Sequence, residues 1–400
     1  MVGRCGISGR LSPEKGYLLT TSLVSLRIHF MGPYLTLWLR ELRFSFTQIG
    51  FLQSLSSFIA LVADFPTGGL ADRYGRRLNY AIGVLLFSIP AIVVALTANF
   101  YLIALAFAVS GLGEAFMSGS LSSWLYDAVG RDAKRAYRVF GRSRMLDGVI
   151  GALAGFVAGT LARYALNLPL LVAGICGVVA SLATLLLLEE NYGYGRSKHY
   201  LEVLGEGLKY IRMCRQLHLL LAATFLTSFG SRAFFMFWMV LARQAGLSES
   251  GVGYVYPLLL LSMGLGGLLA HKIADHRRTI TISTLAMGLL LVGMGVVESL
   301  PVLLALLTLY EVTLGIRAPA LTTFLNELIP SRIRSTTISA LSTLTSIFTI
   351  TANIAIGLFA DALGLKTAYL LAGTLTIVAT FPIVLATDNM TRSGLSRAHS

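Results

Sequence analysis

Gly68-Gly69-Leu70-Ala71-Asp72-Arg73-Tyr74-Gly75-Arg76-Arg77 joins two long apolar runs in a chain that is apolar almost from end to end. A phosphate-cradling loop would need Gly-x-x-x-x-Gly-Lys-Ser/Thr after a short strand. Here the preceding run, Gln48 to Gly68, is long enough to cross a bilayer, so the segment reads as a cationic, glycine-hinged cytoplasmic connector between transmembrane helices.

Composition supports that setting. Hydrophobic residues make up 55% of the 400 and charged residues 13%, with a mean hydropathy of +0.74. A water-soluble domain of this size does not carry such a balance, so the chain is predicted to be a polytopic membrane protein. The net charge of +13 comes from Lys and Arg scattered through short connectors. They form no basic domain, which argues against a nucleic-acid partner.

Each run of about 20 apolar residues is read as a helix, because backbone groups in lipid must be satisfied within the segment. Twelve such runs are predicted, at 16–39, 46–70, 78–98, 100–126, 140–163 and 167–188, then 217–242, 250–271, 279–298, 300–325, 336–362 and 366–387. The period-two alternation of a membrane barrel is absent. Of the 32 Lys and Arg, Arg40, Arg43, Arg163, Arg243 and Lys366 fall in outer segments if both termini are cytoplasmic, and Arg27, Arg232 and Arg317 fall inside spans. The remainder lie on the inner side, as the positive-inside rule requires of a multi-pass cell-membrane protein. Cys5, Cys176 and Cys214 offer no disulfide or metal pattern, and the sequence calls for no cofactor. The first run is too long for a removable signal and is expected to stay as a span.

The chain divides into an N-terminal six-helix bundle at 1–188, a cytoplasmic linker at 189–216, a C-terminal bundle at 217–387 and a cytoplasmic tail at 388–400. Within the linker, Tyr200-Leu201, Leu204, Leu208 and Ile211 recur at helical spacing and predict a short interfacial helix. The halves are weak repeats. Gly68-x-Leu70-Ala71-Asp72-Arg73 has a worn counterpart 199 residues on, Gly267-x-Leu269-Ala270-His271-Lys272, and the same offset pairs Tyr126-Asp127 with Leu325-Asn326. Such a repeat suits two bundles that rock about a central site.

Gly68, Leu70, Ala71, Asp72, Arg73, Gly75, Arg76 and Arg77 match the loop signature of the major facilitator superfamily, which this chain resembles along its whole length. Asp64-Phe65-Pro66-Thr67, Gly111-x-Gly113-Glu114 with Tyr126-Asp127, and Leu325-Asn326 through Arg334-Ser335-Thr336 support the resemblance. It implies an all-α fold of twelve spans in two six-helix bundles, working as a monomer. It also implies gating roles for Asp72, Arg73, Arg76 and Asp127, as a charge relay that holds the inner side shut, with Asp72 meeting the N-terminal dipole of the eleventh span. The Gly-Pro signature of drug/proton antiporters in the fifth span is missing. That span has Gly148, Gly151, Gly155 and Gly159 instead, a close-packing pattern.

Charges inside a bilayer are costly and face bundle interiors or water-filled cavities. Arg27 lies in span 1, Glu114 in span 4, Arg232 in span 7, and Glu311 with Arg317 in span 10, the spans that line the central cavity in the resembling fold. Helical spacing places Arg27, Met31, Tyr34 and Trp38 on one face, and Ser228, Arg232, Phe235 and Met239 on another. The candidate substrate cavity is therefore Arg27, Met31, Tyr34, Glu114, Arg232, Phe235, Glu311 and Arg317. Glu114, Glu311 and Asp64 are the candidate proton-coupling groups, since a solute that competes for an Arg can change the proton affinity of its neighbouring carboxyl. A purely structural alternative is two buried salt bridges, Arg27 with Glu114 and Arg232 with Glu311, but such bridges often fail to offset their desolvation. Asp64 could instead pair with Arg142 or Arg144, Asp147 is read as partner of those arginines, and His29 as a hydrogen-bonded packing residue.

These features predict a secondary active transporter that moves a small polar or ionisable organic solute by alternating access, proton-coupled as symporter or antiporter. Its partners are then the solute, protons and the lipid bilayer. The alternatives are a drug/proton antiporter, an organic-anion exchanger with an Arg27/Arg232 clamp, and a non-transporting solute sensor. No nucleophile with its base, no His-Glu-x-x-His and no nucleotide-binding domain is visible, so no enzyme is predicted.

Overall fold

The computed structural model describes residues 11–192, 200–273 and 275–387, without the side chains at 65, 68, 69, 72, 200–204 and 335. The gating role expected of the Asp72 side chain, the apolar linker positions Tyr200, Leu201 and Leu204, and the tail at 388–400 lie outside the described residues. Among the described residues there is no strand. Two compact units form, Met1–Trp38 with Leu55–Ser197 and Leu39–Ser54 with Lys198–Ser400.

Among the described residues, eleven helices are long and apolar enough to cross a membrane. The first expected span differs: it is divided into α1 (Pro13–Met31) and α2 (Leu35–Glu41). Pro33 has no N–H to give to the helix, and the Tyr34 N–H bonds one residue short of the helical partner, to the Met31 carbonyl at 3.0 Å. The helical phase shifts there, so the face expected to carry Arg27, Met31, Tyr34 and Trp38 does not run straight through. α3 (Phe46–Tyr74) follows.

In the first unit α4 (Arg76–Leu96), α5 (Phe100–Met117), α6 (Ser120–Ala128), α7 (Ala133–Ala162) and α8 (Leu168–Leu187) complete the set. The fourth span breaks between α5 and α6, where Gly119 takes φ +66°. α4 packs on α8 and α5, and α1 on α8 and α7. Small residues let these axes approach: a Cβ on Gly113 would meet the Gly83 carbonyl oxygen at 2.7 Å. Of the fifth-span glycines, Gly151, Gly155 and Gly159 are buried, while Gly148 faces open space.

The second unit contains α9 (Tyr200–Met213), α10 (Arg215–Gln244), α11 (Glu249–Ala270), α12 (His276–Val296), α13 (Leu300–Leu328), α14 (Arg334–Leu363) and α15 (Leu365–Val378), with helix again at 380–387. α12 packs on α15 and α13, repeating the contacts of α4. Gly373 and Gly288 meet as closely as Gly113 and Gly83 do. The short linker helix forms as α9, and it docks on protein. Ile211 is buried with Leu217 and Phe324, Leu208 packs on the same cluster, and the Tyr210 hydroxyl bonds the Leu328 carbonyl at 3.2 Å.

Candidate transport site

In the first unit, Arg27 is only 5% exposed. Its guanidinium lies 3.3 Å from the Phe87 ring centroid and donates to the Phe87 carbonyl at 2.6 Å, while Nε finds no partner among the described residues. Both contacts come from α4, so this cation is held by a ring face and a backbone dipole. Glu114 acts on it electrostatically, yet no ion pair joins them among the described residues, and Glu114 is exposed. Tyr34 has no accessible surface, so it lines no open cavity; Met31 is half-buried. Trp38 donates its ring N–H to the Val94 carbonyl at 2.7 Å and is fixed against the end of α4.

The second unit arranges its charges differently. α10, α13 and α14 enclose a cavity of about 320 Å³ that Arg232 and Arg317 both line. Arg232 is half-buried and makes no hydrogen bond or ion pair with a described residue; its guanidinium lies 5.7 Å from the ring centroid of the exposed Phe235. Arg317 donates Nε to the Thr284 hydroxyl at 2.9 Å. Glu311 is 7% exposed, and its Oε2 has no hydrogen-bond partner among the described residues. The alternative Arg232–Glu311 salt bridge does not form among them. Tyr310, fully buried beside Glu311, stacks on Phe234 with centroids 4.2 Å apart.

At the start of α4 and the end of α6 the loop residues come together. Arg76 meets Asp127 at 2.6 Å, and Arg131 reaches the other oxygen of the same carboxylate at 2.9 Å. Arg73 is exposed beside its neighbour Tyr74. Glu190, which the sequence reading did not single out, accepts from the N–H groups of Arg77 at 2.8 Å and Leu78 at 3.1 Å. It thereby caps α4, and it pairs with the Arg77 side chain at 3.4 Å. Its sequence signal was Glu189-Glu190, two adjacent acids at the start of the polar stretch between the halves. Beside it lies a cavity of about 500 Å³ lined by Trp124, Asp127, Glu189, Glu190 and Asn191 among others.

Two other expected roles shift. Asp64 is exposed and forms no ion pair with Arg142 or Arg144 among the described residues. Asp147 sits with α1 instead of with those arginines: it accepts from the Ser25 hydroxyl at 2.7 Å and meets His29 Nε2 at 3.2 Å. Ser25 and His29 are one helical turn apart on one face, the signal that could have revealed this cluster.

The profile of the Major Facilitator Superfamily matches residues 17–330 and 220–398. An uncharacterized MFS-type transporter, YxaM of Bacillus subtilis (strain 168), is 23% identical over 389 residues, covering 92% of this chain and 93% of its own. The quinolone resistance protein NorA of Staphylococcus aureus is 23% identical over 168 residues, covering 42% of this chain and 43% of its own. Among solved structures, the nucleoside transporter NupG superimposes with a TM-score of 0.81 at 15% identity, covering 94% of this chain and 99% of that one. This chain is a multi-pass membrane protein that belongs to the Major Facilitator Superfamily.

Proposed function

We propose that the protein is a secondary active carrier that moves a small polar or ionisable organic solute by alternating access, with protons as the coupling ion. The observation that carries this reading is the set of intramembrane charges without a charge partner among the described residues: Arg232 and Arg317 open onto a cavity, and Glu311 is enclosed with an oxygen unpartnered among them. Stability does not account for them, because an unpaired buried charge is a net cost. A solute and a proton that occupy these groups in turn do account for them. In this scheme Glu311 and Glu114 exchange the proton, and Asp64 is a further candidate on the surface of α3. The Arg76–Asp127 pair, with Arg73 and Asp72 in the same loop, forms the inner gate. Both termini are cytoplasmic, the six-helix bundles at 1–188 and 217–387 move about the linker at 189–216, and the monomer is the working unit.

Drug/proton antiport is a second reading, favoured by the likeness to NorA over 168 residues. Proteoliposomes loaded with a pH-sensitive dye test both. The expected result is that adding an organic acid or an amino acid shifts the internal pH, that Glu311→Gln removes the shift, and that the labelled solute shows counterflow. Ethidium-driven proton movement that survives Arg232→Gln selects the antiporter. Binding of a solute without counterflow marks a sensor and overturns the carrier.

A further inference from the structure

Resting on the carrier reading, we infer that the cavity of α10, α13 and α14 is an anion subsite of fixed polarity, in which Arg232 and Arg317 hold a carboxylate or phosphate and wall hydroxyls accept hydrogen bonds from donor groups on the same solute. The class this selects is a small organic anion that carries O–H or N–H groups close to its acid, such as a hydroxy acid, an amino acid or a hydroxylated phosphate ester. Arg27 is not part of the subsite.

The two guanidinium groups come from α10 and α13 onto one cavity whose lining, among the described residues, contains no carboxylate. Thr284, fully buried on α12, accepts from Arg317 Nε and donates its own hydroxyl hydrogen bond to the Ile280 carbonyl at 2.7 Å. That leaves the terminal nitrogens of Arg317 for a ligand, and Thr284 acts as the residue that positions them. Two such forks are suited to the paired oxygens of a carboxylate or phosphate. Arg27, by contrast, is already committed to the ring and the carbonyl of Phe87.

The hydroxyls of the wall set the second half of the pattern. Thr224 donates to the Leu220 carbonyl at 2.8 Å, Ser228 to Phe225 at 2.6 Å, Ser231 to Thr227 at 3.1 Å and Thr345 to Leu341 at 2.8 Å. Each of these four hydroxyls has one proton, spent on its own helix, so their oxygens present lone pairs to the cavity. Cations at one place and acceptors along the wall are matched by a solute with an acid and neighbouring donors. A lipophilic cation meets two like charges there, and a bare anion leaves the acceptors unmatched. Leu220, Leu221, Leu321 and Leu325 close the rest of the wall. A volume of about 320 Å³ lies at the small end of ligand pockets, which limits the solute to metabolite size.

The test is the unfolding midpoint and binding isotherm of the purified full-length chain with five probes: propionate, lactate, lactamide, inorganic phosphate and glycerol 3-phosphate. Lactate or glycerol 3-phosphate is expected to stabilise the chain, the first assigning the site to carboxylates and the second to phosphates. Propionate and inorganic phosphate should bind more weakly, and lactamide not at all. Arg232→Gln and Arg317→Gln should each weaken binding about ten- to a hundredfold, with Arg232→Lys and Arg317→Lys losing less and confirming that the fold is intact. Thr284→Val should weaken it less than loss of Arg317, while Arg27→Lys retains wild-type affinity. The inference is overturned if propionate equals lactate, if Arg27→Lys is the variant that loses binding, or if no acid of the panel binds. In that last case solute-driven proton movement by ethidium leaves the carrier standing while the subsite falls.

Discussion

The two loops that precede α4 and α12 solve one problem by different means. In the first unit Gly75 adopts φ +112°, and the cap of α4 arrives from far along the chain as the carboxylate of Glu190. In the second unit Asp275 caps α12 itself, accepting from the Arg278 N–H at 3.0 Å. The ion pairs differ as well. Arg76 and Arg131 enclose Asp127, whose side chain is 19% exposed. His276 and Arg277 share Glu327, which is 42% exposed. The loop that carries the signature residues is thus tied to the end of α8 and the end of α6, whereas its counterpart carries its own cap and is tied at one place, to Glu327 at the end of α13. A loop held at two distant points depends on other helices for its shape, whereas a loop that carries its own cap keeps that part of its shape by itself.

The largest effect that would break this contrast is at Gly75. An alanine there has to hold a backbone conformation that side chains disfavour, about 1–3 kcal/mol of strain, and its Cβ would meet the Glu190 carboxylate oxygens at 2.7 Å. Glu190 would be displaced and its cap, about 1 kcal/mol, lost as well. Thermal unfolding in detergent should show Gly75→Ala well below wild type and Asp275→Ala only about 1 kcal/mol below it. Equal losses would mean that the two loops are built alike after all.

The ion pairs sharpen the same contrast at a smaller scale. Asp127→Asn removes the charge from a part-buried hydrogen bond to Arg76 and an exposed one to Arg131, and should cost about 1–2 kcal/mol. Glu327→Gln acts on a half-exposed pair, one of whose donors is an imidazole that is charged only when protonated, and should cost less than about 1 kcal/mol. Chemical unfolding of the two variants beside wild type provides the comparison. If Glu327→Gln proves the more damaging, Arg76–Asp127 is not the stronger lock.

Much of this was legible in the sequence, and the exceptions have a common cause. Twelve apolar runs gave the helices, and the positions of Arg27, Glu114, Arg232, Glu311 and Arg317 within them marked the costly charges. Partners were less accessible. Helical spacing tells which residues share a face, but the register between helices is set by packing. That Arg27 meets Phe87 on α4, or Arg317 meets Thr284 on α12, depends on that packing; a Cβ on Gly177 of α8, for example, would meet the Arg27 side chain at 3.1 Å. The straight face drawn through Arg27, Tyr34 and Trp38 failed for a local reason that was present in the sequence, the proline at 33. Asp147 was assigned to the arginines nearest in sequence, while the hydrogen bonds came from Ser25 and His29 across the α1–α7 contact.

The smallest expected effect lies at the entrance to α1, where Glu14 and Arg135 join the first unit's α1 to its α7 by an ion pair. The corresponding place in the second unit has no such pair among the described residues; Arg334 there donates to the carbonyls of Asn326 and Ile329 at the end of α13. The hydrogen bond from Arg135 holds the Glu14 carboxyl below the usual carboxylate range. A carboxyl lowered in the folded state binds protons more readily once unfolded, so its contribution is present above the usual carboxylate range and disappears as pH falls through the lowered value. Wild type should therefore unfold at a slightly higher temperature than Glu14→Gln at neutral pH, with the gap closing as the solution is acidified. Salt should narrow it as well, because both groups are partly exposed. Arg334→Gln should show no such closing of its gap with acid, since its partners are carbonyls that do not titrate. A gap for Glu14→Gln that persists at low pH would instead assign the effect to packing of the side chain, and the first unit would lose one of the ties that set it apart from the second.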